Sequence, residues 1–495
     1  MEPQPQRVVI AGGGSAGWMA AAAIARTMGR AVRLTLVESE AIGTVGVGEA
    51  TIPQIHHFNR LLDLREGEFL AATKGTLKLG IEFDGWHRPG ASYMHAFGTV
   101  GRGFGIAPFR HAFAWARARG MEAPFGAFCF NEVAARAGRY HPDAATSTIP
   151  PLVHAYHFDA GLYASLLRTK AEDMGVERVE GRIDEVAVRD GRVTSLRLQD
   201  GSEVAGDLFI DCSGFRSLLI GEALGVGFDD WSEWLPCDRA VAVPSAGGEL
   251  RPYTQAIARQ AGWQWRIPLQ HRTGNGHVFS SRHMSEDEAT ATLLDNLEGE
   301  ALAEPRVIRF TTGRRAEPWR GNVVALGLAA GFMEPLESTS IHLVQSGIER
   351  LLQLFPDGSE DAARRSRFND QSTREWEAIR DFLIAHYHLN AREGQAFWDE
   401  RREAGAPESL TTRLAAFREA GIVVRDADEL FTDEGWQQLL IGQGVTAERW
   451  HPAIDAMDGD ELIAFLDTLA RAYEARAKTL PRHEDYLDHV MKEAA

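Results

Sequence analysis

Three of the four glycines in residues 12–17 stand where a backbone can hold a phosphate group. In the run GGGSAG, Gly12 permits a tight turn, Gly14 lets the backbone approach a pyrophosphate, and Gly17 lets a helix pack closely on a strand. A lone run of this kind is also compatible with an ordinary glycine turn. Its meaning depends on the elements around it.

Those elements have the order that a dinucleotide site requires. The residue patterns predict a strand, an alanine-rich helix and a second strand at Arg7–Ala11, Trp18–Met28 and Val32–Glu38. Ser15 and Ala16 would open the helix, with their N–H groups and the positive end of the helix dipole towards phosphate oxygens. Glu38 ends the second strand, where a carboxylate can accept ribose hydroxyls. The unit predicts a dinucleotide cofactor.

A β-meander favours FAD over NAD as that cofactor. The Asp-Gly pairs at 190–191 and 200–201 are hairpin turn signals within residues 179–214. The stretch ends in a buried strand and the turn at 211–214, and long FAD-binding folds return to the cofactor with such segments. The chain shows no second glycine fingerprint for NAD(P)H. We therefore expect its electrons to arrive ready-made as FADH2.

The composition argues against several other classes of function. The formal net charge of −18 disfavours nucleic acid and anionic membrane as partners. The three cysteines form no CxxC pair, which excludes a dithiol redox centre and a disulfide scaffold. No signal peptide and no long apolar run is evident. We expect a soluble cytoplasmic protein that needs no metal.

The fold class expected from these patterns is α/β. An FAD-binding, Rossmann-like core with a β-meander would occupy residues 1–355, with inserted substrate-site segments at about 85–155. Charged helical patterns dominate after Pro356, so residues 356–495 are predicted to be mostly helical and to cover the substrate.

A second motif lies at residues 262–268, GWQWRIP. On an extended strand Trp263, Trp265 and Ile267 share one face, and Pro268 ends the run. By itself this is compatible with a core strand. Together with the glycine run, however, it resembles the flavin-dependent tryptophan halogenases, whose diagnostic motifs are GxGxxG and WxWxIP. The resemblance extends to residues 46–53, 156–159 and 332–339.

The resemblance implies two catalytic side chains. Lys78 falls on the catalytic lysine of the family, and alignment on residues 83–86 selects it over Lys74. Glu337 falls on the catalytic glutamate, although a carboxylate favoured by a helix dipole is the plainer explanation for it and for Glu334. In the family, FADH2, O2 and chloride or bromide give hypohalous acid, which is led to the lysine. An electron-rich ring then attacks the halogen, and the glutamate removes the ring proton.

The resemblance also assigns residues to the cofactor, the halide and the wall between the sites. Ala50 lies in a strap that joins the two sites, and Leu328 follows the strand at 323–326 beside the flavin. The apolar stripe over 341–355 predicts a helix, whose first amides, at Thr339 and Ser340, would bind halide. Many relatives have glycine in place of Ser340. The wall that keeps substrate from the flavin comprises Trp263, Trp265, Ile267 and Pro268.

Three aromatic residues are candidates for contact with the substrate. His95 and Phe97 match positions that flank the indole ring, and Trp436 is a candidate for the same pocket. Each can equally be a structural aromatic residue. The C-terminal region departs from that of the tryptophan-specific members at 435–444, where we find no group for an amino acid's carboxylate and ammonium. We expect indole or an indole-bearing compound rather than free tryptophan.

Two alternatives stay open from the sequence. A flavin-dependent aromatic monooxygenase would hydroxylate its substrate without halide. A non-catalytic FAD-binding protein would have kept the fold and lost the reaction, although the presence of both Lys78 and Glu337 argues against it. The resemblance also implies an external flavin reductase and suggests a homodimer.

Overall fold

The computed structural model describes residues 5–41, 48–357 and 361–494. The chain forms two compact units, each made of three separate segments. The first unit comprises Met1–Gly75, Phe158–Asp238 and Arg309–Trp376, and the second comprises Thr76–His157, Arg239–Ile308 and Glu377–Ala495. The division at residue 355 into a cofactor core and a substrate-covering region stays a prediction.

The strands are short and run through both units. In chain order they are β1 (Gln6–Ala11), β2 (Val32–Glu38), β3 (Gly48–Ala50), β4 (Thr76–Lys78), β5 (Gly80–Asp84), β6 (Ser92–Ala96), β7 (Ala155–Asp159), β8 (Glu177–Glu180), β9 (Ile183–Arg189), β10 (Arg192–Leu198), β11 (Glu203–Ala205), β12 (Leu208–Asp211), β13 (Phe228–Asp230), β14 (Arg239–Ser245), β15 (Thr254–Arg259), β16 (Gly262–Pro268), β17 (Thr273–Phe279), β18 (Arg306–Arg309), β19 (Gly313–Arg315), β20 (Trp319–Arg320), β21 (Val323–Ala325) and β22 (Gly331–Phe332).

Helices alternate with these strands and dominate the C-terminal third. They are α1 (Ser15–Met28), α2 (Ile55–Leu61), α3 (Glu66–Thr73), α4 (Phe109–Arg117), α5 (Phe130–Arg136), α6 (Ala160–Asp173), α7 (Glu286–Leu294), α8 (Ser340–Gln353), α9 (Ala362–His388), α10 (Ala396–Glu403), α11 (Glu408–Ala420), α12 (Asp433–Gly442), α13 (Gly459–Thr479) and α14 (His483–Ala494). Within the described ranges, none of them is both long and apolar enough to span a bilayer.

The first unit is built on a six-stranded sheet with the order β20-β21-β12-β1-β2-β8. All neighbours pair in parallel except β20 with β21. The strand order reverses at β1, because β2 and β8 lie on one side of it and β12 and β21 on the other. Open α/β sheets bind ligands at such a reversal, beyond the carboxyl ends of the strands. The glycine run follows β1 at this point.

The first unit also confirms the meander, as an antiparallel sheet of β9, β10 and β11. Asp190 and Gly191 both have positive φ, 51° and 71°, as the type I′ turn of a tight hairpin requires. The first residues of the predicted stretch, Val179 and Glu180, belong instead to β8, which pairs in parallel with β2. They follow α6, and a strand that returns after a helix joins a sheet in parallel.

The second unit contains a seven-stranded sheet with the order β18-β14-β17-β16-β15-β5-β6. Trp263 and Trp265 share one face of β16, as their alternation predicts, with ring centroids 6.2 Å apart. Gly276 pairs with Trp265 in the neighbouring strand. A Cβ at Gly276 would lie 2.1 Å from the indole of Trp265, so the glycine makes room for the ring.

Two further features of the second unit position side chains for the site. Strand β4 pairs antiparallel with the first residues of β7, in the register Thr76↔His157 and Lys78↔Ala155. Strand β6 is the last strand of the seven-stranded sheet, and α12 packs against it.

Candidate active site

The glycine run after β1 has the geometry of a pyrophosphate cradle. Gly12 has a φ of +113°, and a Cβ there would lie 2.3 Å from the Cys212 carbonyl oxygen. A Cβ at Gly17 would lie 1.9 Å from the Gly12 carbonyl oxygen. Around Gly14, in contrast, a Cβ would meet no protein atom within 4 Å. Gly12 and Gly17 are thus required by the protein itself, whereas Gly14 faces open space.

The start of α1 suits an anion. The helix begins at Ser15 without a side-chain cap and without an acidic residue in its first turn. The amides of Ser15 and Ala16 therefore open the helix at the positive end of its dipole. Both residues are half-buried.

Glu38 lies beside the same loop. Its Oε2 atom would be 1.5 Å from a Cβ at Gly13, so the carboxylate lies directly over the glycine run. Its Oε1 atom accepts a hydrogen bond from Arg178 Nε at 2.5 Å. This ion pair holds the carboxylate at the end of β2, beside the glycine run.

Two more turns of the first unit meet the glycine run. The Cys212 amide donates to the Ala11 carbonyl oxygen at 2.9 Å, which joins the turn after β12 to the end of β1. Gly327 has a φ of +62°, and a Cβ there would lie 2.8 Å from the Cβ of Ala16. The half-buried Leu328 follows it. These contacts fit the two later segments that the sequence assigned to FAD.

Asp211 organises the turn after β12. Its carboxylate is fully buried and accepts hydrogen bonds from the amides of Ser213, Leu219 and Ile220 at 2.9 to 3.0 Å. Buried carboxylates need such partners. The residue shapes the turn, which explains its presence without a direct contact to the cofactor.

The strap segment is described only in part. Gly46 and Val47 lie outside the described residues, whereas Ala50 is buried at the end of β3. Burial raises the pKa of the neighbouring Glu49 to about 7. A carboxyl group with this pKa can exchange a proton near neutral pH, a property that the sequence analysis did not identify.

The segment proposed for halide begins α8. The helix starts at Ser340, with Thr339 as its N-cap residue, no side-chain cap and no acidic residue in the first turn. Ser340 is not among the residues with positive φ, so a serine fits there without backbone strain. The preceding Ser338 has a φ of +58°, and this left-handed residue turns the chain between Glu337 and the helix.

Glu337 and Glu334 are both buried, with exposures of 1% and 0%. Burial alone therefore does not separate the predicted catalytic glutamate from its neighbour. Glu337 ends the short turn Pro335–Glu337 and stands two residues before Thr339. This turn therefore places Glu337 shortly before the start of α8, within the first unit.

Helix α8 is anchored by one carboxylate of α9. Glu375 accepts hydrogen bonds from His342, Ser346 and Arg350 at 3.0, 2.9 and 2.8 Å. These three residues are four apart and therefore lie on one face of the helix. Although burial would raise the pKa of Glu375, His342 and Arg350 lower it to about 2.

Lys78 and Lys74 differ sharply in environment. Lys74 is exposed and takes a left-handed conformation at the end of α3. Lys78 is completely buried in β4, and its Nζ atom lies 5.5 Å from the centroid of the Phe97 ring. Lysine is almost never buried so fully unless it is paired. The structure thus places Lys78 and Phe97 together.

His95 and Trp436 belong to a second aromatic group in the second unit. The His95 ring lies 5.5 Å from Phe382 and 5.9 Å from Phe431, and Trp436 packs edge-on against Phe382 at 4.8 Å. We call these four residues the His95 cluster. It brings two predicted substrate residues onto a common aromatic surface.

Gln438 holds the segment between His95 and Phe97, and the sequence analysis missed it. Its side-chain amide donates to the Ala96 carbonyl oxygen and accepts from the Ala96 amide, both at 3.0 Å. It thereby replaces a neighbouring strand at the edge of the sheet. The only signal in the sequence is a pair of glutamines in an otherwise apolar stretch of α12.

The predicted wall is buried throughout. Trp263, Trp265 and Ile267 are 1%, 6% and 7% exposed, and Pro268 is buried after them. The Pro268 carbonyl oxygen accepts a hydrogen bond from the Thr76 hydroxyl at 2.7 Å. The wall motif is therefore tied to the strand that carries Lys78.

Comparisons with known proteins agree with this arrangement. Residues 7–459 match the tryptophan halogenase family. The flavin-dependent halogenase Xcc4156 from Xanthomonas campestris is 47% identical, with a TM-score of 0.95 over 99% of both chains. The flavin-dependent halogenase BrvH from Brevundimonas sp. BAL3 is 44% identical, with a TM-score of 0.95 over 99% of this chain and 100% of that one.

A curated relative matches over most of the chain. The tryptophan 6-halogenase SttH of Streptomyces toxytricini is 35% identical over 95% of this chain and 97% of its own. Flavin-dependent halogenases are enzymes that rely on a separate flavin reductase and act on an aromatic substrate. The chain therefore belongs to the tryptophan halogenase family, and it is a flavin-dependent halogenase.

Proposed function

We propose that this enzyme uses FADH2, O2 and chloride or bromide to halogenate indole or an indole-bearing compound, with Lys78 as the residue that delivers the halogen. The observation that carries this proposal is the complete burial of Lys78 beside Phe97. A buried amine next to an aromatic ring is protected from water, which would otherwise compete for a reactive halogen.

The cofactor residues of the proposal lie in the first unit. The cradle formed by Gly12, Gly14 and Gly17 would hold the pyrophosphate of FAD, the amides of Ser15 and Ala16 would bind its oxygens, and Glu38 would hold a ribose. Ala50 and Leu328 would contact the remainder of the cofactor. FADH2, when bound, would supply two of the four electrons that reduce O2, and the halide would supply the other two as it becomes HOX, with water as the second product. The amides of Thr339 and Ser340 would hold that halide at the positive end of α8.

Lys78 would meet the hypohalous acid that results. Its ammonium can donate a hydrogen bond to the oxygen of HOX, which makes the halogen more electrophilic. Its neutral amine can instead displace water and form the haloamine, R–NH2 + HOX → R–NHX + H2O. In either form the halogen is delivered from a fixed position. The aromatic ring takes the halogen and gives up a hydrogen in exchange.

Glu337 would complete the substitution. Attack of the ring on the halogen gives a cationic intermediate, which a nearby carboxylate stabilises electrostatically. The same carboxylate can then accept the ring proton and restore aromaticity.

The substrate class rests on the aromatic residues of the second unit. The His95 cluster is a buried aromatic group, and aromatic side chains of this kind are suited to pack against an indole ring. The curated relative named above is a tryptophan 6-halogenase, whereas the two solved relatives carry the broader description of flavin-dependent halogenases. Together with the departure at 435–444, this favours indole or a larger indole-bearing molecule. A homodimer and a cytoplasmic location stay predictions, which sedimentation and cell fractionation can test.

One assay tests the proposal. The full chain is supplied with a flavin reductase, NADH, FAD, O2, bromide and indole, and products are identified by mass spectrometry. Wild type and the control Lys74→Ala, which changes an exposed lysine, should yield bromoindole. With monochlorodimedone present to trap free hypobromous acid, Lys78→Ala should yield none while it still binds FAD. Hydroxylated indole that forms without bromide, or bromoindole from Lys78→Ala, contradicts the proposal.

A further inference from the structure

Two buried histidines hold the three-residue strand that carries Lys78. His157 lies opposite Thr76 in the β4–β7 pair. Its Nδ1 atom is 2.9 Å from the Thr76 hydroxyl oxygen, and its Nε2 atom is 2.9 Å from the Thr254 hydroxyl oxygen. Both ring nitrogens are therefore engaged, and the ring itself is fully buried.

The direction of these hydrogen bonds determines the tautomer of His157. The Thr76 hydroxyl has a single proton, which it donates to the Pro268 carbonyl oxygen at 2.7 Å. Its oxygen must therefore accept from Nδ1–H of His157. Nε2 is then unprotonated and accepts from the Thr254 hydroxyl. A one-way chain of hydrogen bonds runs from Thr254 through His157 and Thr76 to the wall motif.

His483 supports the same strand from the start of α14. Its Nδ1 atom lies 3.0 Å from the Leu250 carbonyl oxygen, which can only accept, so Nδ1 carries the proton. Its Nε2 atom then accepts the Leu77 amide at 3.1 Å. Leu77 is the residue before Lys78, and the bond joins positions 406 residues apart.

The surroundings keep both rings neutral. Burial, together with the positive charge of Lys78, holds the pKa of His157 well below its ordinary value. Burial lowers the pKa of His483 to about 4. Neutral imidazoles hold β4 by hydrogen bonds without adding positive charge beside Lys78.

We propose that His157 and His483 are positioning residues, which hold β4 so that the Lys78 amine intercepts hypohalous acid before it escapes. This inference rests on the proposed role of Lys78. If the strand shifts, the halide is still oxidised, but less of the oxidised halogen reaches the substrate. A shifted strand would therefore lower the amount of product formed per flavin oxidised, in addition to any loss of stability.

The experiment measures that coupling in the full chain. Bromoindole formed per FADH2 oxidised is determined together with the free hypobromous acid, which is trapped by a diketone such as monochlorodimedone. Thr76→Val removes the link between β4 and the wall motif, and His157→Phe removes the imidazole that joins Thr76 to Thr254. Thr290→Val is the matched control, because it removes a hydroxyl that bonds only within α7, to the Glu286 carbonyl oxygen.

We expect both variants to lower the kcat of bromination about 10- to 100-fold, as small displacements of a reacting group do. Flavin oxidation should continue and the trapped hypobromous acid should rise, whereas Thr290→Val should behave as wild type. His483→Gln retains an acceptor for the Leu77 amide and should preserve more coupling than His483→Phe. An unchanged ratio of product to oxidised flavin in Thr76→Val and His157→Phe overturns the inference.

Lys78→Ala distinguishes a failure of the positioning inference from a failure of the proposed function. If Lys78→Ala is inactive while the threonine and histidine variants keep full coupling, only the positioning inference fails. If Lys78→Ala itself still brominates indole, the proposed function fails, and with it the basis of the inference. FAD binding and thermal unfolding of each variant show that it is folded.

Discussion

Replacing Glu375 with glutamine tests how α8, with the proposed halide amides at its start, is held in place. In the wild type the carboxylate accepts hydrogen bonds from His342, Ser346 and Arg350, and its side chain is only 15% exposed. Glutamine has nearly the same shape but carries no charge. The substitution therefore removes the electrostatic part of the anchor and leaves the packing nearly unchanged.

The expected magnitude follows from the pKa of Glu375, which the fold lowers from 4.5 to about 2. Each unit corresponds to about 1.4 kcal/mol, so the ionised carboxylate contributes up to about 3 kcal/mol to the free energy of unfolding. Because the folded pKa is depressed, this contribution is complete above pH about 4.5 and is lost as the pH falls towards 2. The glutamine variant lacks it at every pH.

Urea unfolding at pH 7 and pH 4 checks this prediction. We expect Glu375→Gln to be less stable than wild type by about 3 kcal/mol at pH 7, and the difference to narrow by about 0.8 kcal/mol at pH 4. Glu474→Gln serves as the control, because Glu474 pairs with Lys478 on the exposed face of α13 and should contribute nothing measurable. A Glu375→Gln variant as stable as wild type at pH 7, or a difference that widens at pH 4, would refute the reasoning. The KM for bromide should also rise, since α8 begins at Ser340.

Three further outcomes are expected. Gly14→Ala should leave the thermal stability of the FAD-free protein unchanged but weaken FAD binding, because its Cβ enters the open space proposed for the pyrophosphate. Gly17→Ala should lower both the thermal stability and the affinity for FAD, because its Cβ would meet the Gly12 carbonyl oxygen. Calorimetry and FAD titration of the two variants separate these cases. Gln438→Leu should broaden the distribution of bromoindole isomers, because it releases the Ala96 segment. Liquid chromatography measures this distribution, and an unchanged distribution would contradict the prediction. Trp436→Phe should lower the free energy of unfolding by at most about 1 kcal/mol. The phenyl ring can still pack on Phe382, and the indole N–H that is lost has no hydrogen-bond partner among the described residues. A larger loss would show that this N–H is satisfied.

The cofactor half of the site was largely predictable from the sequence. Strand β2 has the predicted bounds, Val32–Glu38, and α1 ends at Met28, where Gly29 was expected to stop it. The Asp190-Gly191 turn has the positive φ values that its residue types favour. These features depend on backbone conformation and periodicity within about ten residues, which the local sequence carries in full.

The substrate half depends on contacts that no local pattern contains. Lys74 and Lys78 stand four residues apart, yet one is exposed and the other completely buried. The bond between His483 and Leu77 joins residues 406 positions apart, and the bond between Gln438 and Ala96 joins residues 342 apart. By itself the sequence determined the glycine cradle, the strands around it and the family motifs. Only the tertiary structure decided which lysine is buried and what holds its strand, because burial and long-range hydrogen bonds arise from packing between distant segments.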